Sequence, residues 1–403
     1  MRAAVYRGPD DLRVETVPVP RIQAGELLVK VAACGVCPTD IKKIQYGTLT
    51  PPRIFGHETA GTIVRVGARV KGFKPGERVA LHHHIPCLRC HACRHRAFAQ
   101  CAQYKRTGIT AGFEPAGGGY AEYVRVMSFV LPGVVKIPPR NSFAEGALLE
   151  PVNTVLKAIQ RLTLLRGDTV LVAGQGPIGL MFTRLLKLKG INVLATDLIE
   201  SRLQLAKKFG ARWTVNGSGG ERAHEQHTSE AIGVVGRRPP GAPFETPTLS
   251  GGAHGVTRPT IRPGGGDEVS GAATQLLERI TRGRGLDAAI ITVPSDAVVQ
   301  QALGQVRGGG QILLFAHTRR GRQTAVDLAT VCVDEKDLLG SYSADFTVQK
   351  KVVQWVFSRR LDVRPFITHT FPLEQTAAAI ELAAHPTPDS LKVLVVQETL
   401  TPL

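Results

Sequence analysis

The first third of the chain is dense in short, mainly apolar runs that are rich in β-formers. Clear examples lie at residues 27–32, 61–66 and 120–126, with Gly and Pro between them. Such runs are typical of short strands. They predict a β-rich module of short strands over residues 1–140, which begins with an amphipathic strand at the N-terminus.

After residue 138 the pattern changes to helices that alternate with continuous apolar strands. Such strands indicate a parallel sheet that is covered on both faces. The predicted helices are 145–161, 177–189, 200–209, 271–282 and 295–303. The predicted strands are 169–173, 192–197, 212–215, 287–292, 311–316 and 338–341. A tail of two helices, 347–359 and 373–384, leads to a final strand at 391–396.

Residues 216–270 interrupt this alternation. They contain 12 Gly and 6 Pro in 55 residues and show no sustained periodicity. Such a composition cannot bury enough apolar surface to offset the cost of ordering the backbone. We expect a long, largely disordered insertion.

The charge of the 403-residue chain is unusual, since 50 Lys and Arg face 33 Asp and Glu for a formal net charge of +17. Such a surplus of positive charge is common in proteins that bind nucleic acid or a membrane surface. The basic residues are scattered instead of forming a stripe, which argues against nucleic acid. The sequence contains no run of about 18 apolar residues, so no membrane span is predicted. The clustered cysteines, with no secretory signal, favour metal sites and a cytoplasmic location.

A glycine-rich turn, G-x-G-x-x-G, follows the strand at 169–173 and opens a helix. Its first glycine permits a tight turn, its second lets a pyrophosphate approach the helix N-terminus, and its third permits close helix–strand packing. An acid that ends the next strand can accept hydrogen bonds from both ribose hydroxyls and repel a 2′-phosphate. The pattern predicts NAD in preference to NADP, although Arg202 could contact a 2′-phosphate or line the adenine pocket. The predicted cofactor-binding residues are Gly174, Gly176, Pro177, Ile178, Gly179, Asp197 and Arg202.

Four cysteines with the spacing C-x2-C-x2-C-x7-C form a second motif at Cys87, Cys90, Cys93 and Cys101. Four thiolates in a short loop suit a closed tetrahedral zinc site, which stabilises the fold and leaves no position for chemistry. The ferredoxin run of iron–sulfur proteins has x3 before its last cysteine and Pro after it, unlike this chain. The nearby histidines are expected to be solvated and not ligands; they are His82, His83, His84, His91 and His95.

Three further segments carry candidate chemistry: C-x2-C-x-T-D at 34–40, G-H-E at 56–58 and E-P at 150–151. Each alone could be structural. In this order, around the four-cysteine lobe and before the glycine turn, they resemble the zinc-dependent medium-chain alcohol dehydrogenase family, and most of all its sorbitol/polyol and threonine dehydrogenase branch. The resemblance runs from residue 1 to about 215 and from about 271 to the end.

The resemblance implies an α/β protein with a GroES-like, β-rich catalytic domain and a Rossmann domain with a doubly wound parallel sheet. The first would span residues 1–150 with the zinc lobe, and the second residues 151–342. Residues 343–403 would return to the catalytic domain. The family also implies a homodimer or homotetramer with two Zn²⁺ per subunit, one catalytic and one structural.

The same resemblance implies roles for individual residues. Cys37, His57 and Glu58 match the ligands of the catalytic zinc, and Glu150 matches a carboxylate that binds the metal directly or through its water. Thr39 matches the hydroxyl that starts proton removal. Two further positions have supporting roles: Asp40 would contact His57, and Cys34 would pack in its strand.

The sequence departs from the family at Lys42, where many relatives place the histidine that ends the proton relay. We expect Lys42 to be a solvated surface lysine. The substrate pocket is expected near Tyr46, Phe113 and Glu114. The implied reaction is NAD-dependent oxidation of a secondary alcohol or polyol to the ketone. The alternatives are oxidation of a β-hydroxy amino acid such as threonine, or a non-catalytic binding or redox-sensor protein of the same fold.

Overall fold

The computed structural model describes residues 1–82, 85–105, 117–217, 268–316, 318, 321 and 323–397. The strands are β1 (Arg2–Gly8), β2 (Asp11–Thr16), β3 (Leu27–Gly35), β4 (Arg53–Ile54), β5 (Glu58–Val66), β6 (Arg78–Leu81), β7 (Tyr123–Val126), β8 (Val134–Lys136), β9 (Thr169–Ala173), β10 (Asn192–Asp197), β11 (Trp213–Asn216), β12 (Leu286–Ile291), β13 (Val306–Leu314), β14 (Asp337–Gly340), β15 (Ile367–Pro372) and β16 (Lys392–Val396).

The α-helices are α1 (Pro38–Gln45), α2 (His91–Arg94), α3 (Ala102–Lys105), α4 (Phe143–Ala147), α5 (Leu149–Ile159), α6 (Pro177–Leu188), α7 (Glu200–Phe209), α8 (Glu268–Thr281), α9 (Asp296–Gln305), α10 (Leu328–Val333), α11 (Gln349–Phe357) and α12 (Thr376–Ala384). Short 3₁₀ turns occur at Phe98–Gln100, Ser128–Gly133, Phe346–Val348, Arg364–Phe366 and Leu373–Gln375. None of these described helices has both the length and the hydrophobicity of a membrane-spanning segment.

A six-stranded parallel sheet forms the second half of the fold, in the order β11-β10-β9-β12-β13-β14. The chain first builds outward from β9 in one direction and then returns to β12 and builds in the other. The strand order therefore reverses between β9 and β12, and the carboxyl ends of these two strands are where ligands bind in open parallel sheets. The predicted Rossmann sheet is confirmed.

A seven-stranded sheet forms the β-rich half, in the order β15-β16-β3-β5-β6-β8, with β7 also paired to β3. A smaller sheet has the order β2-β1-β4. The β-rich character is confirmed, but this part also contains the helices α1 to α3, which the strand-like pattern did not predict. The last of the described strands, β16, lies beside β3. The domain boundaries at residues 150 and 342 stay predictions.

The two large sheets share one apolar core. Ala33 and Ala60 of the β-rich sheet belong to the same buried cluster as Val170 and Val172 of the parallel sheet. Helices α4 and α5 contribute side chains to the same cluster, and nine residues of α5 are buried. Because this shared core is buried, it fixes the two sheets relative to each other.

Several predicted boundaries need correction. The helix predicted at 145–161 is two helices, α4 and α5, separated at Leu148. Strand β15 and helix α10 were not predicted at all. The predicted insertion, residues 216–270, is too long at both ends, because Asn216 is the last residue of β11 and Glu268 is the first residue of α8. The rest of the predicted insertion, residues 218–267, lies outside the described residues.

Candidate active site

Three metal-donor side chains converge where the β-rich sheet meets α1. Cys37 is the N-cap of α1, and its backbone is extended because Pro38 follows it at the first helical position. His57 directly precedes β5, and Glu58 is the first residue of that strand. The donor atoms of Cys37, His57 and Glu58 all lie within 4.8 Å of one another. One thiolate, one imidazole and one carboxylate suit zinc.

A buried carboxylate supports the imidazole. Asp40 Oδ1 lies 3.1 Å from His57 Nδ1, and the Tyr120 hydroxyl donates to Asp40 Oδ2 at 3.3 Å. Burial acts to lower the pKa of His57, but the Asp40 carboxylate and the Cys37 sulfur together outweigh it and raise that pKa well above its ordinary value. The predicted contact between Asp40 and His57 is confirmed, and such a partner orients a ligating ring.

Glu58 has a partner that the sequence did not reveal. The Lys392 ammonium donates to Glu58 Oε1 at 2.6 Å and to the Val36 carbonyl at 2.7 Å, and both charged side chains are almost fully buried. The other carboxylate oxygen, Oε2, is also buried and has no hydrogen-bond partner within the described residues. A buried oxygen without a donor is costly unless something else binds it, so the donor set fits a metal ion.

A cavity of about 150 Å³ gathers the other predicted catalytic residues around these donors. Its walls include Thr39, Lys42 and Glu150. Lys42 is half-buried there, so its prediction as a solvated lysine is wrong. Burial lowers the pKa of Lys42, although Cys37 acts in the opposite direction. Burial also raises the pKa of Glu150 to about 7, and its carboxylate is not one of the three clustered donors.

The substrate pocket expected near three residues is not borne out at Tyr46 and stays a prediction at the other two. Tyr46 is half exposed and does not line this cavity. Phe113 and Glu114 lie outside the described residues. A larger cleft of about 970 Å³ adjoins the cavity, and the two share Phe315 and Tyr342.

The glycine turn reaches the same cavity. Gly174 has φ +90°, and a Cβ atom on Gly179 would lie 1.8 Å from the Gly174 carbonyl oxygen, so both positions require glycine. A Cβ atom on Gly176 would meet nothing within 4 Å, which leaves space for a ligand. Ile178, on the first turn of α6, and Thr292, directly after β12, both line the cavity that holds the metal donors.

Asp197 stands beside this turn. Its carboxylate accepts hydrogen bonds from the backbone amides of Gln175 at 2.6 Å and Ile199 at 2.9 Å. A carboxylate has about four acceptor positions, so two remain after these contacts. Arg202 lies five residues further along, on α7. It is buried, and its Nε has no partner among the described residues.

The four cysteines of the second motif also come together. The sulfur atoms of Cys87, Cys90, Cys93 and Cys101 all lie within 4.8 Å of one another. His91 and His95 are exposed, as predicted. The prediction is wrong for His82, which is buried because it follows β6 and donates its backbone N–H to Gly133. His83 and His84 lie outside the described residues.

Comparison with known proteins shows what the chain is similar to. The alcohol dehydrogenase GroES-like domain family matches residues 23–139. Sorbitol dehydrogenase of Bacillus subtilis is 29% identical over 98% of this chain and 97% of its own length. A zinc-binding dehydrogenase of Sinorhizobium meliloti bound to NADP has the same fold, with a TM-score of 0.74 at 24% identity over 98% of each chain. The alcohol dehydrogenase TADH of Thermus sp. ATN1 also matches, with a TM-score of 0.74 at 24% identity over 98% of this chain and 99% of its own.

The sequence match along nearly the whole chain, the paired sheets and the metal-donor set agree with the resemblance drawn from the motifs. Residues 23–139 therefore form a GroES-like domain of the alcohol dehydrogenase type, and the chain as a whole is similar to the polyol branch of the zinc-dependent medium-chain alcohol dehydrogenases. This similarity supports an oxidoreductase that acts on CH–OH groups.

Proposed function

We propose that this protein oxidises a secondary alcohol of a polyol to the ketone, with zinc and NAD as cofactors. One observation carries the proposal. The metal donors Cys37, His57 and Glu58 open onto the same cavity as Ile178 of the glycine-turn helix and Thr292 at the end of β12. A metal-bound alcohol and a nicotinamide ring can therefore meet there, with their reacting carbons held together and away from water.

The donors divide into two proposed zinc sites. Cys37, His57 and Glu58 would hold the catalytic ion, and Glu150 would bind it directly or through a water molecule. Zinc at this site supplies Lewis acidity that lowers the pKa of an alcohol, and NAD supplies the hydride acceptor. The second, structural ion would be held by Cys87, Cys90, Cys93 and Cys101. Both sites need thiolates, which is consistent with a reducing cytoplasmic setting.

Two residues of α1 are proposed to carry the proton away. Thr39 and Lys42 are three positions apart on the helix, so they lie on one face, and both line the cavity. Thr39 would accept the alcohol proton through its hydroxyl. Lys42 would then accept it, since burial lowers its pKa and so favours the neutral amine that accepts a proton.

NAD is proposed over NADP because of Asp197. Its carboxylate lies at the glycine turn, with acceptor positions left for ribose hydroxyls. A 2′-phosphate would meet a negative charge at this point. The NADP-bound relative from S. meliloti makes cofactor preference a property to measure in this chain.

A substrate panel tests the proposal directly. Sugar alcohols, vicinal diols, simple alcohols and threonine are each supplied with NAD, and NADH formation is followed. We expect the highest kcat/KM with a sugar alcohol or diol. Preference for threonine would move the assignment to β-hydroxy amino acids, and no turnover with any substrate would favour a non-catalytic protein.

A pair of cysteine variants shows whether turnover depends on the proposed zinc ligand. Cys37→Ser is expected to abolish NADH formation while the fold is kept, because a neutral hydroxyl is a poor zinc ligand. Cys34→Ala is the matched control, because Cys34 is buried in the core three residues away and is not among the clustered donors. Full turnover by Cys37→Ser would refute the catalytic zinc site.

A further inference from the structure

Lys392 is a buried cation at the proposed catalytic metal site. It comes from β16, the last of the described strands, and is separated from Glu58 by 334 positions in the sequence. Its ammonium makes two hydrogen bonds, to Glu58 Oε1 and to the Val36 carbonyl oxygen. A lysine is rarely this buried unless its charge is compensated, so the contact with Glu58 has a clear electrostatic basis.

The sheet itself brings the two residues together. Strand β3 lies between β5 and β16, and Gly35 of β3 is paired with Glu58 on one side and with Leu394 on the other. A Cβ atom on Gly35 would lie 1.9 Å from Glu58 Oε2 and 3.0 Å from Lys392 Cε. The absence of a side chain at Gly35 is therefore what allows the carboxylate and the lysine stem to pack across the strand.

The contact with Lys392 gives the two carboxylate oxygens of Glu58 different surroundings. Oε1 is bound by the ammonium, while Oε2 has no partner within the described residues and is buried. A lysine ammonium is a compact point charge that can bind one oxygen and leave the other for a second cation. An arginine guanidinium, in contrast, is a planar fork that tends to bind both oxygens of a carboxylate.

We propose that Lys392 is a positioning residue for the catalytic metal: by holding Glu58 through Oε1 alone, it presents Oε2 as the metal donor. This inference rests on the proposed catalytic zinc site. It predicts that both the presence of the ammonium and its single-point geometry affect how tightly the metal is held. A role limited to neutralising the buried carboxylate would instead be filled equally well by arginine.

The test measures zinc content, not turnover. Wild-type protein, Lys392→Arg and Lys392→Met are dialysed against buffers of graded free Zn²⁺, and bound zinc per chain is measured by atomic emission. The wild type is expected to bind two ions. Both variants are expected to lose one of them at about 10- to 100-fold higher free Zn²⁺ than the wild type, the usual effect of removing a residue that orients a ligand. The four-cysteine ion should stay bound.

Lys336→Met is the matched control, because Lys336 is also buried and donates to a backbone carbonyl, that of Leu303, at 2.8 Å. It should bind both ions like the wild type. Wild-type zinc affinity in Lys392→Arg would overturn the single-point geometry, and wild-type affinity in Lys392→Met would overturn any positioning role. A wild type that binds only one ion would instead refute the catalytic zinc site on which the inference rests. If Lys392→Met does not fold, the zinc affinity of Lys392→Arg alone tests the positioning role, since this variant keeps the positive charge.

Discussion

Each of the three proposed catalytic donors has its own hydrogen-bond partner. Cys37 Sγ accepts from the Thr39 amide at 3.4 Å, His57 is oriented by Asp40, and Glu58 by Lys392. The first two partners lie within 20 positions of their donors, and motif comparison predicted Asp40. Lys392 could not be predicted, because nothing in its sequence neighbourhood points to Glu58. Only the pairing of β16 with β3 brings it there.

The proposed preference for NAD over NADP also depends on a single residue, Asp197. We predict that Asp197→Ala lowers the preference for NAD over NADP about tenfold or more, since a hydrogen bond to a charged group contributes about 1.5–3 kcal/mol. The ratio of kcat/KM values for the two cofactors measures this preference. Asp168→Ala is the control, because Asp168 also accepts a backbone amide, that of Leu165, but lies just before the start of β9. An unchanged ratio in Asp197→Ala would contradict the ribose contact.

At the scale of elements, strong local patterns were predicted well and weak ones were not. The strand at 169–173, the following helix and the strand at 192–197 agree with β9, α6 and β10 almost to the residue. Here apolar runs and a glycine turn act together. Helix α1 was missed because it is only eight residues long and follows a strand directly. Strand β15 was missed because its residues alternate between partial and full exposure, so no apolar run marks it.

At the same scale, we expect the order of the four-cysteine lobe to depend on a bound zinc ion. We predict that Cys90→Ser loses one zinc per chain and at least ~2 kcal/mol of stability, which lowers the melting temperature by roughly 4–8 °C. Metal analysis and calorimetry measure the two effects. Cys332→Ser, at an exposed cysteine outside both clusters, should change neither. Two ions bound to Cys90→Ser with an unchanged melting temperature would refute the structural site.

At the scale of the whole molecule, the order of the two large sheets along the chain followed from the sequence, but the residues that pack between them did not. The change of pattern near residue 138 predicted where the β-rich part gives way to the parallel sheet. The buried core shared by Ala33, Ala60, Val170 and Val172 is contained in no local pattern. The homodimer or homotetramer implied by the resemblance stays a prediction.

The insertion can be tested on the whole chain. All six strands of the parallel sheet, from β9 to β14, lie outside residues 218–267. We predict that replacing 218–267 by a flexible Gly-Ser linker leaves kcat/KM and the melting temperature close to those of the full chain. As a control, the same linker in place of β16 should abolish folding, because it removes a central strand. Loss of folding on removing 218–267 would show that this segment packs against the sheets.

The position of β16 sets an order of events during synthesis. A ribosome delivers Cys37, His57 and Glu58 early, and Lys392 follows Glu58 only after 334 positions. Until β16 arrives, the edge of β3 that it covers is unpaired and Glu58 has no ammonium beside it. A nascent chain thus carries the side chains proposed to bind zinc long before their surroundings are complete. We therefore expect maturation of the proposed catalytic centre to depend on the arrival of β16, and a chain that lacks β16 to leave Glu58 without its ammonium partner.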